Sequence, residues 1–271
     1  MKSTKLANIR LGFAMLTFLN SPPIFSQVEL SAGAESAGLA DVRVGIENVW
    51  AVYNNPADML SDSQFRIGVF TANTFNVDAL KSVSMSSIVN HRNFAFGVYY
   101  SRFGYRISRQ EQLTISIGLR LNGKSSIGVT ASALHATFGN TIVAKGFSTA
   151  LGFNQRLTAN TTLYLWTTNP IVPKEESIIQ SVYIAGVGIE LSKEMRWIIQ
   201  SSVSPTVQPS LSTGFQYNIS KALVMHFGFN TSPRTLSFGF QLNRRGWSIT
   251  SANTNHQVLG FSPVISAQWS N

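Results

Sequence analysis

Cysteine is absent from the 271 residues. That excludes disulfide staples, thiolate metal sites and a lipid-modified N-terminal cysteine. Charge is scarce too, at 12% of residues against about 25% in a typical soluble domain. Yet no window approaches the roughly 18 consecutive apolar residues that a spanning helix needs. Scarce charge without long apolar runs points to a membrane β-barrel, in which lipid-facing and lumen-facing residues alternate along each strand.

Acids are the rarest of the charges. The formal net charge is +9, and from residue 79 onward 16 Lys and Arg face only Glu111, Glu175, Glu176, Glu190 and Glu194, so that region alone carries +11. A basic chain raises nucleic acid as a partner. Cations at the rims of a barrel meet anionic lipid head groups instead, so the expected partners are outer-membrane lipid and lipopolysaccharide, not nucleic acid.

The residues that carry catalysis are also few. There are four histidines (His91, His135, His226, His256) and four aspartates (Asp41, Asp58, Asp62, Asp78), so no aspartate lies beyond residue 78. A strand-borne Asp/His site cannot be assembled in the later strands, no His or carboxylate cluster offers a metal site, and a lone serine beside His135 or His226 is ordinary lumen filler. The chain reads as a non-enzyme without metal or cofactor.

What is present falls into three parts. Residues 1–26 carry Lys2, Lys5 and Arg10, an apolar core over 11–19 and then Ser21-Pro22-Pro23-Ile24-Phe25-Ser26. This reads as a secretory signal peptide cleaved after Ser26. Residues 27–64 do not read as strand. There, Val44, Val49, Trp50, Val52 and Tyr53 suit a short helix with an inward apolar face, Gly33, Gly38 and Gly45 allow tight turns, and Asn55-Pro56-Ala57-Asp58 has Asn as N-cap with Pro at the first helical position. The expectation is a partly helical plug.

Residues 65–271 form a series of short alternating segments. In 113–122, Leu113, Ile115, Ile117, Leu119 and Leu121 alternate with Thr114, Ser116, Gly118, Arg120 and Asn122. That is a period of two over the length that crosses a bilayer at a tilt of about 45°. Similar segments start near Phe65, Ala79, Arg92, Glu111, Ser125, Lys145, Thr161, Ser181, Glu194, Pro209, Ala222, Thr235, Trp247 and Gln257. The predicted fold is all-β, an antiparallel transmembrane barrel of about fourteen strands, monomeric, with both termini in the periplasm. Periplasmic turns are expected to be short and basic (His91-Arg92, Asn122-Gly123-Lys124, Arg244-Arg245-Gly246), and outer loops longer, the longest being 169–180.

The plug run Gly33-Ala34-Glu35-Ser36-Ala37-Gly38-Leu39-Ala40-Asp41, followed by Tyr53-Asn54-Asn55-Pro56-Ala57, resembles the FadL-type fatty-acid transporter superfamily, and within it the PorV and PorQ branch associated with type IX secretion. The resemblance implies a plug preceding fourteen strands. It departs in two ways: the large outer loops of that superfamily are missing, and Asp58 replaces the usual glycine after Asn-Pro-Ala. The residues singled out in the plug, as structural or gating groups, are Gly38, Asp41, Arg43, Glu47, Trp50, Tyr53, Asn55 and Pro56. Arg66, Arg120 and His226 are assigned to the lumen, with a plug carboxylate paired to a barrel arginine.

The small loops favour an accessory of type IX secretion or surface attachment with a protein partner. The alternative is a FadL-like channel passing a hydrophobic small molecule through the lumen and out through the wall, with 82–87 and 200–205 as candidate openings. Transport predicts an apolar cavity beside Trp50 and Tyr53. An accessory role predicts a filled lumen.

Overall fold

The structure is a computed structural model that describes residues 31–139, 141–170, 181–205 and 207–271. The expected signal peptide and most of the expected 169–180 loop therefore lie outside the described residues.

Fourteen antiparallel strands close into one barrel in which each pairs with its sequence neighbours and β1 (Phe65–Asn73) pairs with β14 (Gly260–Ser270). Between them run β2 (Lys81–His91), β3 (Phe94–Gly104), β4 (Ser108–Arg120), β5 (Ser125–Phe138), β6 (Thr141–Arg156), β7 (Thr161–Thr168), β8 (Val182–Glu190), β9 (Met195–Ser204), β10 (Val207–Asn218), β11 (Leu223–Thr231), β12 (Arg234–Arg244) and β13 (Trp247–His256). Closure leaves no unpaired edge, so the backbone polar groups of the wall are satisfied within it.

The period of two decides the faces. On β3, Phe94, Phe96 and Tyr100 point outward and are exposed, while Ala95 and Tyr99 point inward and are buried. On β4, Leu113, Ile115 and Ile117 are outward, and Thr114, Ser116 and Gly118 inward. The later strands repeat this with Phe227, Phe238, Phe240, Ile249 and Ile265 outside. Inside, polarity is absorbed by cross-strand hydroxyl pairs such as Thr114 with Ser132 (2.8 Å) and Ser116 with Thr130 (2.8 Å), since buried hydroxyls need partners.

The two ends differ less than the sequence implies. One end carries the turns 92–93, 121–124, 157–160, 191–194, 219–222 and 245–246, and is called here the short-turn end. At the far end, 139–140, 205–206 and 232–233 are just as short, and only 74–80 and 169–181 are longer. The 74–80 connection is not a free loop: it forms two 3₁₀ turns, and Phe75 N–H donates to Ser262.

The segment before β1 fills the lumen. α1 (Ala34–Gly38) packs against β11 to β14, and α2 (Ala51–Asn54) with the 3₁₀ turn Pro56–Met59 packs against β2 to β6. Asn55 caps that turn as expected, its side chain accepting from Ala57 N–H with Pro56 in the first turn. The helices are shorter than the apolar pattern implies. Val44 lies outside them, and Gly38 is helical instead of turning.

Candidate functional site

A band of glycines on the inward register is where the plug meets the wall. Gly118, Gly128 and Gly152 are direct cross-strand neighbours on β4, β5 and β6, and together they form a bare patch on which Asn55 and Pro56 sit. A Cβ added at Gly118 would lie 2.8 Å from Pro56 O, and at Gly152 it would collide with Asn55 Oδ1. On the opposite side, Gly214 and Gly228 pair across β10 and β11, and Leu39 and Ala40 rest on them; a Cβ at Gly214 would lie 2.9 Å from Leu39 Cβ. Between the two seats, Gly68 faces Val49 and Gly186 faces Val44. Here glycine serves close backbone approach across a narrow lumen.

Polar contacts lock the plug onto these seats. Arg66, inward on β1 and 4% exposed, donates to Glu47 O (3.2 Å) and to Met59 O. The barrel arginine thus holds the plug through its backbone carbonyls, not through the expected carboxylate. The plug acid that reaches the wall is Asp58: its Oδ1 accepts from Asn154 (2.6 Å), and its Oδ2 accepts from Gly45 N–H (2.8 Å) and Asn55 (2.9 Å). Burial pushes the Asp58 carboxyl up to about 7, reinforced by Glu47, while the Gly45 and Asn154 donors and the Arg196 charge pull the other way. Ser116 and Ser86 donate to Val52 O and Val49 O. Gln200 accepts from Arg43 N–H (2.8 Å).

The other residues singled out from sequence scatter over this joint. Trp50 is 1% exposed, edge-on to Phe70 at 5.5 Å and enclosed by Gly33 and Gly68. Trp50 is thus packed on these sides, whereas Tyr53 is partly exposed. Tyr53 stacks on Tyr99 at 4.9 Å, and the buried Arg43 guanidinium lies 5.6 Å from the Tyr53 ring and 5.5 Å from the Trp166 ring. Asp41 accepts from Ser31 N–H (2.7 Å), and its φ of 65° together with φ 58° at Ala40 turns the chain after α1. Glu47 is exposed at the short-turn end. Gly38 packs against His226, which is fully buried with Nε2 3.2 Å from Gln241. Arg120 sits at the short-turn mouth and lines a polar cavity of about 560 Å³ with Glu47, Asp58, Tyr164 and Arg196. His135 points outward on the opposite side of the wall from that lumen, bonded to Glu111, so His135 and His226 share no site. Among the described residues no group of three or more His, Asp or Glu could hold a metal ion.

A second cavity, of about 570 Å³, opens on the outer wall over β6 to β9. Leu151, Phe153, Leu165, Tyr183 and Val203 form its sides, Ala185 and Ser201 leave it shallow-walled, and Gly152, Trp166 and Ile184 of the inward register also line it. The sequence signal for it is weak: two small outward residues, Ala185 and Ser201, that become direct neighbours only through the β8–β9 register. The glycine seats had a signal that was overlooked, namely glycine recurring on the inward register in strands whose outward register is bulky.

Fold and plug together define a class of protein: a closed, fourteen-stranded antiparallel barrel stoppered by its own N-terminal segment. Comparison of the sequence with protein families and with curated proteins finds no match. In shape the chain is similar to a structure titled CymD monoaromatic hydrocarbon channel (14% identity, TM-score 0.69, 89% of this chain and 98% of that one). It is similar also to the P. putida toluene transporter TodX (11%, 0.63, 89% and 99%) and to a Pseudomonas aeruginosa FadL homologue (12%, 0.62, 88% and 98%). These likenesses carry the FadL-like barrel fold. They do not carry the PorV and PorQ branch, and they correct the expected role: the three structures named here are titled as a hydrocarbon channel, a toluene transporter and a FadL homologue, so the type IX secretion accessory and its protein partner are set aside. Small outer loops were the ground for that expectation, and loop size does not distinguish a docking barrel from a channel.

Proposed function

We propose that this chain is an outer-membrane channel for a hydrophobic small molecule, without enzymatic activity. The C-terminal end of β14 lies at the short-turn end beside the start of β1, and both termini are then assigned to the periplasm. The outward apolar band supports the membrane location, because contiguous exposed apolar surface of this extent needs a lipid environment. The observation that carries the transport reading is the apolar hollow on the outer wall, whose floor includes Gly152, Trp166 and Ile184 between the outward side chains. Its volume falls in the range of about 300–1,000 Å³ typical of small-molecule sites, and it offers an apolar solute a place on the lipid-facing side of the wall. The fold's occurrence in proteins titled hydrocarbon channels agrees with this.

Of the two segments expected to open the wall, 200–205 contributes Ser201 and Val203 to the cavity. The segment 82–87 does not: Val83 and Met85 point outward there and are bulky. The β8–β9 ladder is continuous across the cavity, so passage requires side chains, not strands, to give way. The plug residues Arg43, Tyr53, Trp50 and Asp41 then act in gating, by holding the lumen closed between the two glycine seats.

The test is to fill the cavity. Ala185→Trp with Ser201→Trp, both outward, should leave folding intact and cut uptake of a labelled monoaromatic hydrocarbon by cells or proteoliposomes about tenfold, the scale of a contact loss near 1.4 kcal/mol. Undiminished uptake by the folded double variant would remove the cavity from the pathway.

A further inference from the structure

The outward face is not uniformly apolar around the barrel. On β3 to β6 the apolar band is interrupted at one level, where Arg102, Glu111, His135 and Lys145 are successive cross-strand partners, and exposed apolar side chains such as Phe138 and Val143 resume beyond it. Glu111 is second in this row and engages two basic side chains: His135 Nε2 on the next strand is 2.9 Å and Arg109 Nε, two residues along β4, 3.7 Å from its Oε2, and Tyr100 donates to its Oε1 at 2.8 Å. The row therefore presents two pairs of donor groups, Arg102 with Arg109 and His135 with Lys145, with a Lys or Arg in each pair. Their centres are two strand spacings apart, about 10 Å at roughly 4.8 Å per strand.

The height of the row places it in the bilayer. Glu111 is nine residues above Arg120 on β4, which at about 3.4 Å per residue and a tilt of about 40° is roughly 23 Å, against an apolar band about 25 Å tall in barrels of this kind. That is head-group level, with the acyl region directly beneath. At the tip of the β11–β12 hairpin, by contrast, Arg234 stands as a single cation cross-strand from Thr231.

We infer that the outward row on β3 to β6 is a docking site for a membrane lipid whose head group carries two phosphates, one on Arg102 and Arg109 and the other on His135 and Lys145, with Glu111 aligning the two. A single phosphate has no reason to sit between the two pairs, because the carboxylate is there. Two phosphates on one head group match both cationic ends, and the acyl chains lie over Leu113 and Phe147 below. Attraction of this kind grows with the number of Lys or Arg near a membrane surface, which makes the site selective for charge number.

The site rests on the membrane location proposed above. Native mass spectrometry of the full chain in mild detergent should show one bis-phosphorylated lipid A retained per barrel, and about tenfold less of the monophosphorylated form and of phosphatidylglycerol. Arg102→Gln with Lys145→Gln should abolish the preference, Arg102→Lys with Lys145→Arg should keep it, and Arg234→Gln should leave it unchanged. Folding of each variant is read from heat-modifiable electrophoretic mobility. Equal retention of all three lipids, an unaltered preference in the Gln variant, or displacement by millimolar inorganic phosphate would overturn the site. If the wild type inserts into bilayers but retains no lipid A, this inference falls alone; if it fails to insert, the membrane reading falls with it.

Discussion

On β4, Ile115 is 43% exposed and its neighbour Ser116 is 1% exposed, so along one strand the apolar side chain is outside and the polar one is buried. The inward face is built from glycine, serine and threonine fitted to a plug, and its tolerances are steric. The outward face is built from aliphatic and aromatic residues with no protein neighbour, and its tolerances are set by polarity. The same substitution therefore has opposite consequences on the two faces. This is the reverse of a soluble domain, where burial and hydrophobicity go together.

The strongest way to break that contrast is a charge in the middle of the outward face. Ile115→Arg lies near mid-height of the band and should destabilise the membrane-inserted barrel by about 2–4 kcal/mol, read from urea unfolding in lipid vesicles; a neutral result would mean that this face does not meet lipid. Ser116→Arg is not the matched control, since it fails by volume.

Bulk on the inward face comes next. Gly152→Val pushes Asn55 off its seat and should cost about 1–3 kcal/mol of plug docking. The readout is raised single-channel conductance and faster proteolysis within 44–53, with the barrel still heat-modifiable. A plug that stays protected would show that the glycine patch is not what seats it.

Acidity tests the joint itself. The docked Asp58 carboxyl, raised to about 7, binds its proton more tightly than the same group in a released plug, near 3.9. Docking is therefore firmest below about pH 4 and weakens as pH rises toward 7, because the ionised form is disfavoured where the plug is buried. The protection factors of the plug amides, corrected for intrinsic exchange at each pH, should fall over that window in the wild type and stay flat in Asp58→Asn. An equal pH response in both would assign the effect to another group.

Among the smallest effects, Ser116→Ala removes the hydroxyl that bonds Val52 O and Thr130. It should cost about 1 kcal/mol in the same exchange measurement, while Ile117→Val outside should cost less.

Much of the wall was legible in the sequence. The alternation over 113–122 assigns both faces of β4, and the fourteen segment starts fall close to the fourteen observed strands, because a period of two is a local property. Asn55 and Pro56 announced a capped turn for the same reason. Arg66 and His226 were placed inward by register alone. The partners were not legible. That Arg66 holds carbonyls, that Asp58 is the plug carboxylate bonded to Asn154 of the wall, and that Arg43 lies between Tyr53 and Trp166 depend on where the plug stops inside the barrel.

The sequence by itself determined which side chains face out, how many strands cross and that a non-strand segment precedes them, since each follows from spacing within a few residues. Tertiary structure alone decided the rest. Closure and strand stagger bring Gly118, Gly128 and Gly152 into one patch, Ala185 and Ser201 into one hollow, and Arg102, Glu111, His135 and Lys145 into one row. Each of those groupings joins residues on different strands, and only the register of the closed sheet sets which residues stand side by side.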